Sequence, residues 1–220
     1  MLLSLKVALL AVCVVFVLGL LMARLMARHE FAGQDVLEAM FTLPLVLPPS
    51  VIGYGLLVLF GVHGPLGQLF ESVLGVRIVF TWGAAVLAAI VVSFPLMYQS
   101  AKGAISGVDL NLERAARTLG AGEWRIFVTI TLPLAWSGIV AGLVLSFARA
   151  LGEFGATLMI AGNIPGQTQT IPLAIYFAVE SGDTATAQAL GGIMALFSFA
   201  VIFGLNYWTK RRKLRREGRG

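Results

Sequence analysis

The chain has 220 residues, of which 58% are apolar and only 12% are charged, with a net charge of +5 and a mean hydropathy of +0.89. Soluble domains carry about a quarter charged residues, so the composition excludes a self-contained water-soluble domain. The single cysteine, Cys13, excludes an intrachain disulfide and a CxxC metal or redox motif.

Six stretches lack Asp, Glu, Lys and Arg: 7–23, 39–62, 78–101, 126–148, 154–179 and 184–209. Each is long enough for a membrane helix. From Gly162 the fifth stretch contains turn formers and amides that would leave backbone groups unsatisfied in hydrocarbon. We therefore predict an all-α, polytopic transmembrane bundle forming one domain, 1–220, with five spans at about 5–25, 39–61, 78–100, 134–158 and 184–208.

The placement of the basic residues predicts the topology. The tail 210–216 is almost entirely Lys and Arg, which favours the cytoplasmic side. With five spans, 13 of the 16 basic residues lie on that side, so the N-terminus is predicted outside and the C-terminus inside. A sixth span at 154–179 would separate the tail from the basic 102–125 loop. The tail is expected to contact anionic lipid rather than nucleic acid.

Arg24 and Arg28 follow the first apolar run, whereas one lysine precedes it. This favours an uncleaved anchor over a secretory signal. In the second span Pro44, Pro48 and Pro49 interrupt the helical hydrogen bonds, and irregular backbone at membrane depth is tolerated where it lines a cavity.

Such a cavity would lie between the second, third and fourth spans. Its candidate polar lining is Ser50, Ser93, Ser146 and Thr157. The alternative for each serine is a hydrogen bond to its own i−4 carbonyl or a role at a helix contact, and for any single serine this alternative is favoured.

The cytoplasmic loop 102–133 is predicted to contain a helix of about ten residues, with Asp109 as its N-cap and Gly120 after its C-terminus. A second short helix is expected from Glu123. The residues alone favour an amphipathic connector on the membrane surface over a docking site. The apolar positions of the first helix follow the spacing i, i+3, i+4, i+7: Leu112, Ala115, Ala116 and Leu119.

Arg149 and Glu153 are four residues apart and therefore share a face of the fourth span. Ionisable groups inside a span are usually paired or next to water. A mutually neutralising pair that positions the bend at Gly152 is favoured, and an attraction point for an anion is the functional alternative.

The exported loop, about 161–183, is expected to include a short interfacial or re-entrant helix at 171–179. The polar residues 167–170 are candidate contacts for a partner protein, with a solvated loop as the alternative. His63 lies in a predicted turn and lacks a second ligand at metal-binding spacing, so no metal site is predicted.

Catalytic motifs are missing from the sequence. The chain contains no GxSxG, HExxH or GxxxxGK[ST] pattern. We therefore predict that the chain is not an enzyme and needs no cofactor of its own.

The pattern Ala115-Ala116-x-x-x-Gly120, followed after nine residues by Ile130-x-Leu132-Pro133, resembles the cytoplasmic signature of permease subunits in ATP-binding-cassette (ABC) importers. The signature commonly begins Glu-Ala-Ala, whereas here Arg114 precedes the alanines. The resemblance implies a type I ABC importer permease fold and a coupling helix that contacts an ATPase through Glu113, Ala115, Ala116, Arg117, Leu119, Gly120 and Trp124.

Two further segments, 44–54 and 151–172, are similar to the permeases of molybdate importers, and sulfate permeases share the Gly-Glu-Phe-Gly part. The resemblance implies a homodimer in the bacterial inner membrane that imports molybdate by alternating access. It also implies two ATPase subunits, which bind ATP and Mg²⁺, and an exported substrate-binding protein. A sulfate or tungstate permease, or a channel or scaffold subunit not coupled to ATP, are the alternatives.

Overall fold

The fold is all-α in a computed structural model that describes residues 2–29 and 31–217, with the backbone alone at 205, 206 and 208–217. A π-helical turn, Phe127–Thr131, joins α7 to α8. The helices are α1 Leu2–Arg28, α2 Gln34–Val46, α3 Pro49–Phe60, α4 Pro65–Leu74, α5 Trp82–Ser106, α6 Leu110–Thr118, α7 Glu123–Ile126, α8 Leu132–Leu151, α9 Gly155–Ala161, α10 Ile171–Glu180 and α11 Thr184–Glu217.

Among the described residues, four helical stretches are long and apolar enough to cross a membrane, and the bent pair α2–α3 makes a fifth when it is counted as one span. The four are Leu2–Arg28, Trp82–Ser106, Glu123–Leu151 and Thr184–Gly204. Each overlaps a predicted span. The stretch Glu123–Leu151, which overlaps the fourth predicted span, begins about ten residues earlier than predicted because α7 and the π-helical turn continue directly into α8.

The helices α1 and α5 run parallel in the centre of the bundle. At one end the Lys6 Nζ lies 3.8 Å from the ring centroid of Trp82. At the other end Arg28 donates to the Ile105 carbonyl at 3.0 Å. A Cβ on Gly19 would lie 2.8 Å from the Met97 Cγ, so a small residue is what allows the two helices to approach this closely.

The predicted second span is a broken pair. The chain bends by 118° between helices α2 and α3. Leu47 and Pro48 have extended ψ values of 140° and 138°, because a residue that precedes proline is disfavoured in the helical region. α2 packs on the core formed by the second halves of α1 and α5, whereas α3 packs on the core formed by their first halves.

The predicted fourth span also breaks, at residues 152–154 between α8 and α9. α9 packs against α3, where a Cβ on Gly53 would lie 2.7 Å from the Ala156 Cα. Gly155 at the start of α9 is similarly close to Pro49 and to the Ser50 backbone. The two helix breaks therefore contact one another.

The predicted helix in the exported loop is α10. Its start is fixed by the Ile171 amide, which donates to the Ser4 hydroxyl at 2.7 Å. The loop therefore lies at the end of the bundle where α1 begins, opposite to Arg28.

Candidate functional site

Helix α6 is bounded as the sequence predicts. The Asp109 side chain accepts from the Asn111 amide at 2.8 Å, and Gly120 has a φ of +82°. An aspartate cap satisfies an amide that the helix itself leaves unpaired, and a left-handed glycine allows the chain to leave the helix sharply.

The apolar face of α6 points away from the rest of the chain. Leu119 is 88% exposed and Leu112 is also exposed. Ala115 is exposed and Ala116 half-buried, so small side chains separate the two leucines. Trp124, 65% exposed, extends this surface onto α7. These residues form a largely exposed apolar face, which we call the apolar docking face after its predicted role.

The inward face of α6 holds a buried charge. Glu113 is 2% exposed and its Oε1 accepts from Arg28 at 2.6 Å and from the Thr131 hydroxyl at 2.7 Å. Arg28 also donates to the Ile105 carbonyl. The carboxylate therefore joins α6 to the end of α1 and to the π-helical turn that precedes α8, and Arg28 extends this connection to the end of α5.

Arg117 forms the outer part of this network. It donates to both carboxylate oxygens of Glu123, at 2.5 and 3.0 Å, and lies 3.7 Å from Glu113. Hydrogen bonding to Glu123 holds the pKa of the Arg117 guanidinium above its ordinary value. The pair connects α6 to α7.

The sequence prediction included Glu113, Arg117 and Trp124 but missed Arg28 and Thr131. Thr131 occupies the variable position of the Ile-x-Leu-Pro pattern, and Arg28 was interpreted only as a topology signal. The i,i+4 spacing of Glu113 and Arg117 could have indicated an ion pair on α6. No sequence rule identifies which distant residue completes it.

Arg149 and Glu153 form the predicted ion pair, with 2.7 Å between Nη1 and Oε2. Glu153 is 2% exposed, and its Oε1 accepts from the Ala156 amide at 2.8 Å. The carboxylate therefore accepts from the first turn of α9 and also neutralises Arg149 in the last turn of α8. This geometry matches the structural interpretation of the pair.

Three of the four predicted lining residues lie inside the helix packing of this chain. Ser93 donates to the Ala89 carbonyl at 2.6 Å, four residues earlier, and Ser146 donates to the Ser93 carbonyl at 3.2 Å. Thr157 is also buried, whereas Ser50 is exposed. Ser93 thus makes the local i−4 bond that the sequence analysis gave as its alternative, and Ser50 alone reaches the surface of the chain.

The polar residues 167–170, in the loop predicted to be exported, are likewise partly buried and partly exposed. Thr168 is buried and holds the turn, since its hydroxyl accepts from the Ile164 amide and donates to the Gly162 carbonyl. Thr170 is buried too, while Gln167 is exposed. Among residues 2–29 and 31–217, no three His, Cys, Asp or Glu side chains lie together as a metal site requires.

Known proteins are similar to this chain in sequence and in fold. The ModB molybdenum transport system permease protein of Escherichia coli K12 is 46% identical over 99% of this chain and 95% of that protein. The CysT sulfate transport system permease protein of the same organism is 34% identical over 89% of this chain and 70% of that protein. A solved bacterial ABC transporter involved in alginate import has a chain with a TM-score of 0.76 at 17% identity, covering 95% of this chain and 77% of that chain.

The structural match confirms the predicted type I importer permease fold. Residues 15–215 match the family described as "Binding-protein-dependent transport system inner membrane component". The chain therefore belongs to this family of inner membrane transport components.

Proposed function

We propose that the chain is the permease subunit of an ATP-driven importer that carries molybdate inward across the bacterial inner membrane. The single observation that carries the coupling part of this proposal is the apolar docking face of α6. Exposed contiguous apolar surfaces mark interaction sites, and this one is held rigidly from behind by buried Glu113. A channel or scaffold subunit would not require such a surface.

The partner at the docking face is proposed to be an ATPase subunit that binds ATP and Mg²⁺. Two copies of this chain would form a homodimer with two ATPases, and an exported binding protein would deliver the substrate. In this mechanism ATP binding draws the ATPases together, and α6 follows them. Because Glu113 connects α6 to α1, α5 and α8, the motion reaches those spans and opens the pathway outward.

We propose an N-terminus outside and a C-terminus inside. The structure supports this orientation through its charge distribution, because Arg24, Arg28 and the basic loop residues share one end of the bundle. Positive residues are enriched on the cytoplasmic side. The docking face then faces the cytoplasm, where ATP is available.

The pathway is proposed to pass the contact between the two helix breaks. Ser50 is exposed beside Gly155, and Arg149 remains partly accessible next to Glu153. Weak hydrogen bonding by hydroxyls and a neutralised arginine suits an anion that must bind and then leave. Ser93, Ser146 and Thr157 would reach the pathway only after the helices move apart.

The substrate proposal rests on the molybdenum relative, and the sulfate relative makes sulfate the second candidate. The test is uptake of labelled molybdate into vesicles that contain the reconstituted complex, with the binding protein supplied outside. Excess unlabelled molybdate, tungstate or sulfate competes. We expect molybdate to compete best, whereas stronger competition by sulfate would assign the chain to sulfate import.

The docking proposal is tested separately with Leu119→Glu. A charge in the centre of an apolar interface should abolish copurification of the ATPase. Val73→Glu is the matched control, because Val73 is an exposed apolar residue on α4 outside α6. If both variants retained the ATPase equally, α6 would not be its docking site.

A further inference from the structure

A cavity of about 700 Å³ opens between the last turns of α1 and the inward face of α6. Its walls carry four arginines and two glutamates, a formal charge of +2 from these six residues. The charged residues are Arg24, Arg28, Arg114, Arg117, Glu113 and Glu123. We refer to this space as the arginine cavity.

The positive charge of the arginine cavity is only partly neutralised. Glu113 forms an ion pair with Arg28, and Glu123 forms one with Arg117. Within the residues that the structure describes, Arg24 donates to one backbone carbonyl, that of Glu123 at 3.3 Å, and its guanidinium lies 4.2 Å from the ring centroid of Phe127. The Arg114 side chain makes no hydrogen bond or ion pair within the described part of the chain.

Arg28 contributes a further free donor. Its Nη2 is occupied by Glu113 and by the Ile105 carbonyl, but its Nε is buried without a hydrogen-bond partner. An unpaired buried donor is costly. An anion bound in the cavity would neutralise the excess charge of these arginines.

The residues that line the arginine cavity indicate which kind of anion it binds. Leu21 and Leu25 also line the cavity and are 49% and 43% exposed. They share a helical face with Arg28, so about 10 Å of α1 changes from apolar to basic along the cavity. A soluble anion gains nothing from the leucines, whereas a phospholipid places its acyl chain on them and its phosphate among the arginines.

We infer that the arginine cavity binds the phosphate of an anionic phospholipid of the cytoplasmic leaflet. Basic pockets between membrane helices on this side are suited to such headgroups. The inference rests on the orientation proposed above and goes beyond the transport function. A phosphate held among these arginines would also hold Arg28, and through it Glu113 and α6, so bound lipid would strengthen coupling between ATPase and permease.

The test measures binding of phosphatidylglycerol to the purified complex by native mass spectrometry, with phosphatidylcholine as the reference. Arg114→Gln removes a charge that makes no internal contact, so the fold is expected to remain intact. Arg125→Gln is the matched control, because Arg125 is exposed on the same loop but does not line the cavity. We expect about a fivefold loss of phosphatidylglycerol affinity in Arg114→Gln alone, the factor for one arginine near the membrane surface.

Three outcomes would overturn the inference. Equal losses in the two variants would indicate general surface attraction. Displacement of the lipid by millimolar inorganic phosphate would indicate a soluble-anion site. Unchanged lipid binding with weaker ATPase copurification would assign Arg114 to the ATPase contact. The lipid measurement does not depend on uptake, so a failed transport assay would leave its result readable.

Discussion

Two buried glutamates of this protein, Glu113 and Glu153, are both 2% exposed and both paired with arginine. They differ in what they connect. Glu113 bonds to Arg28 and Thr131 from distant parts of the chain, whereas Glu153 bonds only within four residues of itself. The comparison separates a carboxylate that joins distant elements from one that shapes a local bend.

The largest effect is expected for Glu113→Ala. Removal of one partner from a buried ion pair leaves the other charge uncompensated, at a cost of about 3 kcal/mol in the free energy of unfolding. Because Glu113 also joins α6 to three other elements, transport-coupled ATPase activity should fall as well. Unfolding in detergent and stimulation of the ATPase by loaded binding protein measure the two effects.

The control for Glu113→Ala is Glu71→Ala, which breaks the exposed pair with Arg77 and should cost well under about 1 kcal/mol. A Glu113→Ala variant with normal stability and normal stimulation would remove the distinction between the two glutamates.

A smaller loss of stability is expected at the contact between α3 and α9, which depends on packing rather than on charge. Gly53→Ala would place a Cβ 2.7 Å from the Ala156 Cα and push α3 away from α9, which should cost about 2 kcal/mol. Gly55→Ala is the control on the same helix, since nothing lies within 4 Å of a Cβ there. Equal thermal stability of the two variants would mean that the helix breaks do not depend on close contact.

The predictability of the two regions differs for a physical reason. The Arg149–Glu153 pair could be predicted because helical spacing alone brings the partners together. The hydrophobic segments, the Asp109 cap and the Gly120 terminus were likewise local signals. The structure has four long apolar helices among its described residues, with the bent pair α2–α3 as a possible fifth span, and it confirms the cap and the left-handed glycine.

The partners of Glu113 could not be predicted in the same way. They are 85 and 18 residues away, and their meeting depends on how α1, α5 and α8 pack. The 118° angle at Pro48 and Pro49 is a similar case. The prolines predict a break, but the direction of the chain after it is set by packing against α9.

Neutralising the local pair tests whether Arg149 has a role beyond structure. Arg149→Gln with Glu153→Gln keeps an acceptor for the Ala156 amide and leaves no unpaired charge, so stability should fall by about 1 kcal/mol. We expect molybdate uptake to decrease more than assembly does, because the pathway would lose its positive group. Uptake per assembled complex is the measurement, and an unchanged value would restrict Arg149 to shaping the bend.

The smallest effect is expected for Asp109→Ala, which removes the N-cap of α6 at a cost of about 0.5–1 kcal/mol. Asp183→Ala is its counterpart at the other end of the protein, where the Asp183 side chain accepts from the Thr186 amide at 3.0 Å. Both changes remove the same kind of hydrogen bond, so their stability losses should be similar. Because only Asp109 supports the helix that Glu113 ties to the spans, only Asp109→Ala should weaken stimulation of the ATPase.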